Sequence, residues 1–262
     1  MFVTIINDCR DGNTMGRQAT RLATLFPNAQ ISAVGINDYV EIEAAGNLID
    51  MLDAASGEEG IILLNAAPRH KKKWPNGTPF GYFRHKKTLV VTTIDGYALS
   101  LVKKLGLTKD IFVTDVKTVV DAMFAAGHID QQLHDQIATT QFRSFDYMPR
   151  LAKWVMDGID VPNQIYSLNE VADVPQAIWL IDNFGNAKTT ILPEEIGFEP
   201  GKKIKTKFGE IECFTQMRDV AVGTTALIIG SSGIKDKRFV ELIVLGGRAA
   251  DKYNLSSGME IL

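Results

Sequence analysis

Apolar and polar positions divide the chain into two stretches of different rhythm. In the first, short apolar runs alternate with helical spacing. Phe2 to Ile6 is a β-rich run, and Met15, Ala19, Leu22 and Phe26 then recur at intervals of four, three and four, one face of a helix. Asn13 or Thr14 is placed to cap it. Ile31 to Val34 predicts a second strand, and Ile42, Ala45, Leu48, Ile49 and Leu52 a second helix. "GIILLN" (60–65) and "TLVVTT" (88–93) are nearly continuous apolar runs, the pattern of strands buried on both faces. A helix over 97–105, a strand over 111–115 and helices over 116–126 and 146–157 complete this part. Such alternation predicts an α/β domain with a mostly parallel sheet over 1–162.

The segment 163–175 loosens into Pro, Asn and Ser and reads as a linker. Beyond it, strand-length runs at 177–182, 187–191, 202–206, 210–215, 225–230 and 238–245 are separated by Gly-rich turns, without long helices. That rhythm predicts a smaller C-terminal all-β barrel over 176–262. Two units of this kind place a small-molecule site at their junction.

Composition narrows the function classes. With 28 Lys+Arg against 31 Asp+Glu the net charge is −3, so no global field favours nucleic acid or an anionic membrane. The basic, aromatic loop 69–87 is the one stretch with a nucleic-acid flavour, and a solvated face is its simpler reading. Two cysteines, Cys9 and Cys213, give neither a disulfide framework nor a zinc spacing, and the four histidines lack metal-binding spacing. No window reaches the roughly 18–20 apolar residues of a membrane span. These features predict a cytoplasmic protein with no metal or cofactor. No GxSxG elbow or GxGxxG turn follows a strand, which argues against a hydrolase triad and a dinucleotide site.

Candidate chemistry sits in the turns. Asp8 follows the first strand, where α/β sheets collect ligands, and a carboxylate there can accept both hydroxyls of a ribose; the alternative is an Asp that caps a turn. Asp11 and Asn13 share that loop and are placed to cap the helix or hold an amine. "IDNFGNAKTTI" (181–191) carries more than a hairpin needs, namely a flanking Asp182, an aromatic Phe184 and Asn186. "GSSGIKDKRFVELIV" (230–244) offers the Ser231/Ser232 turn before a strand.

Together these segments resemble the S-adenosylmethionine (SAM) hydroxide adenosyltransferases, the adenosine-forming SAM hydrolases related to the fluorinating and chlorinating SAM enzymes. "IDNFGNAKTTI" is similar to that family's Asp-x-Phe-Gly-Asn-x-x-Thr-Asn-Ile segment. "GSSGIKDKRFVELIVLGGRAADKYNLSSGMEI" is similar to its closing segment, while "TTIDGYALSLV" and "INDCRDGNTMG" are weaker echoes of Pro-Asp-Asn-Gly-Leu-Leu and Thr-Asp-Phe-Gly. The resemblance implies a homotrimer with sites between the N-terminal domain of one subunit and the C-terminal domain of the next. It implies that SAM is a substrate, cleaved to adenosine and methionine by water at the ribose 5′ carbon. Asp8 would hold the ribose, Asp11 or Asn13 the methionine amine, Asp182 the methionine end and Asn186 the adenine. Phe184, Phe214, Ser231 and Ser232 would complete the pocket.

The family's water-handling triad is altered in this chain. Its Asp after the third strand falls on Asn65 or Ala67, and Arg69 or Lys72 stands where the family has an Arg. The later His-Gly-Arg-Asp segment reads "TQFRSFDYMPRLA", with Arg143 and Asp146 but no His. Asn65 and Arg69 are therefore the catalytic candidates. The alternatives are a SAM- or adenosine-binding protein without turnover, and an enzyme using another nucleophile such as halide.

Overall fold

A computed structural model describes residues 1–37, 40–66 and 78–262. Its first half contains β1 (Phe2–Asn7), α1 (Gly12–Leu25), β2 (Gln30–Gly35), α2 (Glu41–Ala55), β3 (Gly60–Asn65), β4 (Phe80–His85) and β5 (Thr88–Thr93). It continues through α3 (Ser100–Leu105), β6 (Asp110–Thr114), α4 (Val116–Ala125), α5 (Gln131–Thr139), α6 (Arg143–Asp146), α7 (Met148–Met156) and β7 (Gln164–Ser167). The strands form one seven-stranded sheet in the order β2-β1-β3-β5-β4-β6-β7.

The apolar runs are continuous because helices cover both faces. Ile6, Ile62, Leu64 and Val90 pack with α2 and α3, whereas their strand neighbours Ile5, Ile61, Leu63 and Val91 pack with α1, α4 and α7. Each strand thus sends alternate side chains into two separate cores.

The sheet is less parallel than the sequence rhythm predicts. The pairings β2–β1, β1–β3 and β3–β5 are parallel, but β5–β4, β4–β6 and β6–β7 are antiparallel. The difference comes from β4, which lies inside the basic stretch 69–87. Its partner register His85↔Thr88 leaves only Lys86 and Lys87 as the turn, with Lys86 at φ 54°. A Lys-Lys hairpin carries none of the Asn-Gly chemistry by which such turns are recognised. The segment 163–175 likewise supplies edge strand β7 to this sheet.

The second half contains β8 (Ile178–Ile181), β9 (Ala187–Thr189), β10 (Lys203–Thr206), β11 (Gly209–Phe214), β12 (Thr225–Ile234), β13 (Lys237–Val244) and α8 (Ala249–Tyr253). Their sheet order is β10-β11-β12-β13-β9-β8, antiparallel except for β11–β12. The predicted barrel is an open sheet whose edges are tied by the last residues. Gly258 N donates to Ile178 O at 2.7 Å, and Lys207 N donates to Ile261 O at 2.9 Å.

Helix α2 joins the halves. A Cβ on Gly46 would overlap the Trp179 ring, so the buried indole packs directly on helix backbone. Asp50 accepts from Ser232 Oγ at 2.9 Å and from Gly233 N at 3.2 Å, and Asp53 accepts from Arg238 Nη1 at 2.8 Å. Among the described residues no helix is long and apolar enough to cross a membrane.

Candidate functional site

The first helix crosses to β2 and the second to β3, on opposite sides of β1. The carboxyl ends of β1 and β3 therefore flank the point where strand order reverses, and the crevice there is the favoured ligand position of such sheets. Asp8 and Asn65 stand on its two lips. Asp8 N donates to Asn65 O at 3.1 Å. Asn65 Nδ2 donates to Asn7 Oδ1 at 2.9 Å and reaches Asp8 Oδ1 at 3.4 Å. Asn7 is itself held, through its Nδ2, on Gln18 Oε1 at 3.0 Å. Asp8 is buried, with 6% of its surface exposed.

Further buried carboxylates line the same edge. Glu41 Oε2 accepts from Tyr97 N at 2.8 Å, and Asp95 Oδ1 accepts from Gly96 N at 2.9 Å. Gly96 is required here: it sits at φ 65°, and a Cβ would overlap Glu41 Oε2. Glu43 accepts from Asn37 N and Nδ2, and burial raises its pKa despite those bonds. Glu41, Glu43 and Asp95 are not among the candidates read from the sequence. The Asp-Gly of "TTIDGYALSLV" is their one visible signal.

The remaining candidates of the first half diverge. Asp11 caps α1, accepting from Thr14 N at 2.9 Å and Thr14 Oγ1 at 2.7 Å, and those bonds hold its pKa below the usual carboxylate value. Asn13 is exposed and lines a shallow groove along α1 with Gly16, Arg17, Arg21 and Phe145. Arg69, Ala67 and Lys72 lie outside the described residues. Asp146 is buried, accepting from Gln136 Nε2 at 3.0 Å and Thr140 Oγ1 at 2.7 Å, so it organises helices.

In the second half the β8–β9 turn gathers Asp182, Phe184 and Asn186. Asp182 Oδ1 accepts from both Phe184 N and Asn186 N at 2.9 Å, while Oδ2 accepts from Asn186 Nδ2 at 3.1 Å. Gly185 at φ 79° closes the turn, and a Cβ there would meet Arg248 Cβ at 2.7 Å. Phe184 consequently projects outward, 69% exposed.

Ser231 and Ser232, expected in a turn, lie instead in an irregular stretch of β12 where the pairing register shifts, Ser231 exposed and Ser232 facing inward. Ser232 is buried between Asp50 and Lys188, whose Nζ donates to it at 2.9 Å. Ser231 N donates to Glu241 Oε1 at 3.1 Å. Burial raises the pKa of both Asp50 and Glu241, with Lys188 opposing it. Phe214, half-buried at the end of β11, packs on Val220, Ala226, Ile228 and Ile243. Among the described residues no group of three or more His, Cys, Asp or Glu could hold a metal ion.

Residues 176–262 match the family model of the SAM hydroxide adenosyltransferase C-terminal domain. This part of the chain is similar to that domain. The matched segment contains both the Asp182–Asn186 turn and the Ser231/Ser232 stretch of β12. Over its whole length the chain resembles a solved, uncharacterized conserved protein of Thermotoga maritima, with 13% identity, full coverage of both chains and a TM-score of 0.70. A conserved hypothetical protein of Thermus thermophilus is similar at 15% identity, with 99% of each chain covered and a TM-score of 0.64. At such identities the likeness is one of fold. No curated protein matches the sequence.

Proposed function

We propose that the chain is an adenosyl-transferring enzyme that hydrolyses SAM to adenosine and L-methionine. One observation carries the reading: a buried Asp8, braced by Asn65 at the reversal point of the sheet, in a chain that ends in a SAM hydroxide adenosyltransferase domain. The Asp8 carboxylate accepts the two ribose hydroxyls. The carboxylates of the same edge suit a substrate that carries a sulfonium. Asn65 spends its Nδ2 on Asn7 and Asp8, which leaves its Oδ1 to orient a water. That water attacks the 5′ carbon as the C–S bond breaks; the bonding pair passes to sulfur, neutral methionine leaves, and the water proton goes to solvent. A sulfonium needs no acid to depart, so the protein's share is alignment and exclusion of bulk water.

The exposed Phe184 and the neighbouring Asn186 are read as the adenine-facing wall of an adjoining subunit's site, in a homotrimer. The outward projection of Phe184 on a rigid turn supports this reading. Arg69 is retained as a second catalytic candidate.

Incubating the purified chain with SAM and following adenosine and methionine by chromatography tests the proposal. Equimolar products are expected, with loss of turnover and roughly tenfold or greater weakening of adenosine binding in Asp8→Ala, the cost of one buried charged hydrogen-bonding group. Absence of products together with adenosine binding would establish instead a binder without turnover, the reading favoured by a neutral amide where the family has a carboxylate. Formation of a 5′-chlorinated nucleoside in chloride would assign the nucleophile differently.

A further inference from the structure

The carboxyl edge of the first sheet carries a second cleft. It is enclosed by the end of β6, the first turn of α4, the end of α5, α6 and the start of β7, with a volume of about 810 Å³. In strand order, β5 and β4 separate it from the Asp8–Asn65 crevice. Its size lies within the range of small-ligand pockets, roughly 300–1,000 Å³. Val113, Val116, Ile137 and Pro162 give it apolar walls, and Arg143 and Lys117 give it positive charge.

Arg143 is the telling residue. Of the nearby cations, Arg150 Nη1 donates to Asp146 O at 2.6 Å and Lys117 pairs with Asp121, while Arg21, whose Nη1 makes no hydrogen bond, lines the separate α1 groove 4.0 Å from Asp146. Among the described residues, no acceptor meets the Arg143 guanidinium, although burial alone is enough to lower its pKa. A half-buried guanidinium forfeits hydration without recovering hydrogen bonds, and a bidentate oxyanion supplies what it lacks. The one acidic residue of the cleft, Asp115, has Oδ1 committed to Thr118 N and Oγ1 at the start of α4.

We propose that this cleft is a second small-molecule site, independent of the nucleoside crevice, and that it takes an organic anion or polyphosphate whose oxyanion rests on Arg143. Lys117 adds long-range attraction, and the apolar walls cover the ligand body. The carboxylate and phosphate sources share this chemistry, and two probes separate them.

The ¹⁵N–¹H spectrum of the full chain is followed during titration with citrate and, separately, with pyrophosphate. Saturable shifts are expected at the amides of Lys117, Thr118, Gln141 and Asn163 with at least one probe. Response to citrate alone identifies a carboxylate ligand, and response to pyrophosphate alone a phosphate ligand. Arg143→Gln is expected to weaken the bound probe roughly tenfold or more, the effect of one charge-assisted pair. Lys117→Gln weakens it less, and Arg17→Gln, on the separate α1 groove, leaves it unchanged. A dispersed spectrum checks that each variant is folded. No saturable shift with either probe, or equal affinity in wild type and Arg143→Gln, overturns the site. Neither result touches SAM turnover at Asp8, so the two proposals fail separately.

Discussion

The bond between Asp182 and Asn186 makes a prediction about base selectivity. Because Asp182 Oδ2 accepts from Asn186 Nδ2, the Asn186 amide is fixed with its Oδ1 turned away from the carboxylate. An outward acceptor matches the exocyclic amine of adenine and clashes with the O6 acceptor of hypoxanthine. Asp182→Asn retains an Oδ1 that can accept from the two backbone amides, at 2.9 Å each in the native turn, but replaces Oδ2 with a donor. Two amide donors then face each other, and Asn186 relieves this by flipping. The flipped residue presents its Nδ2 outward and favours inosine. Each mismatched polar contact costs about 1–3 kcal/mol, so the adenosine-to-inosine affinity ratio is expected to fall by roughly ten- to a hundredfold. Calorimetric titration of wild type and Asp182→Asn with both nucleosides measures it. Asp182→Ala is the control for the turn itself: it removes three hydrogen bonds, and about 2 kcal/mol of stability at 0.5–1.5 kcal/mol each after allowing for partial exposure. An unchanged ratio in a folded Asp182→Asn chain refutes the assignment of Asn186 to the base. It leaves Asp182 as a turn organiser only.

Three further outcomes are expected. Gly185→Ala forces an L residue to φ 79° and a Cβ onto Arg248, and should lower unfolding free energy by about 1–3 kcal/mol in denaturant melts. Asp50→Ala leaves the buried Ser232 hydroxyl and Lys188 short of their acceptor; about 1–3 kcal/mol of stability should be lost, with the α2 junction exchanging amide hydrogens faster. His134 donates between Asp121 and Asp135, and those bonds raise its pKa above 6.5. A raised folded value means that its contribution is complete below the unfolded pKa and is lost as pH rises through the folded one. Imidazole NMR titration should show the elevated midpoint, and Asp121→Asn should bring it down toward the ordinary value.

How much was legible in the sequence depended on whether a residue's role was local. Buried strands such as 60–65 and 88–93 announce themselves because both faces are covered, and the Asp182–Asn186 turn because its chemistry is contiguous. Strand β4 was hidden because FGYFRH shows no period-two alternation, with Phe80 and Phe83 three positions apart, and because its turn is Lys-Lys. The site edge was half visible. Asp8 follows its strand directly, but Glu41 joins it only through the fold, meeting Tyr97 N from 56 positions away. Ser232 was visible as a candidate but its inward orientation was not, for the same reason, since its partner Asp50 lies 182 positions earlier.

Helix α2 touches every part of this arrangement. Glu41 and Glu43 at its start hold the crevice loops, Gly46 seats the Trp179 ring, and Asp50 and Asp53 at its far end grip β12 and β13. A helix of fifteen residues is a stiff rod of about 22 Å. The two sheets therefore share a single axle, with the crevice carboxylates at one end of the rod and the grip on the C-terminal sheet at the other. A substitution at the far end of α2 is therefore expected to disturb the crevice carboxylates through this shared rod, without touching the crevice itself.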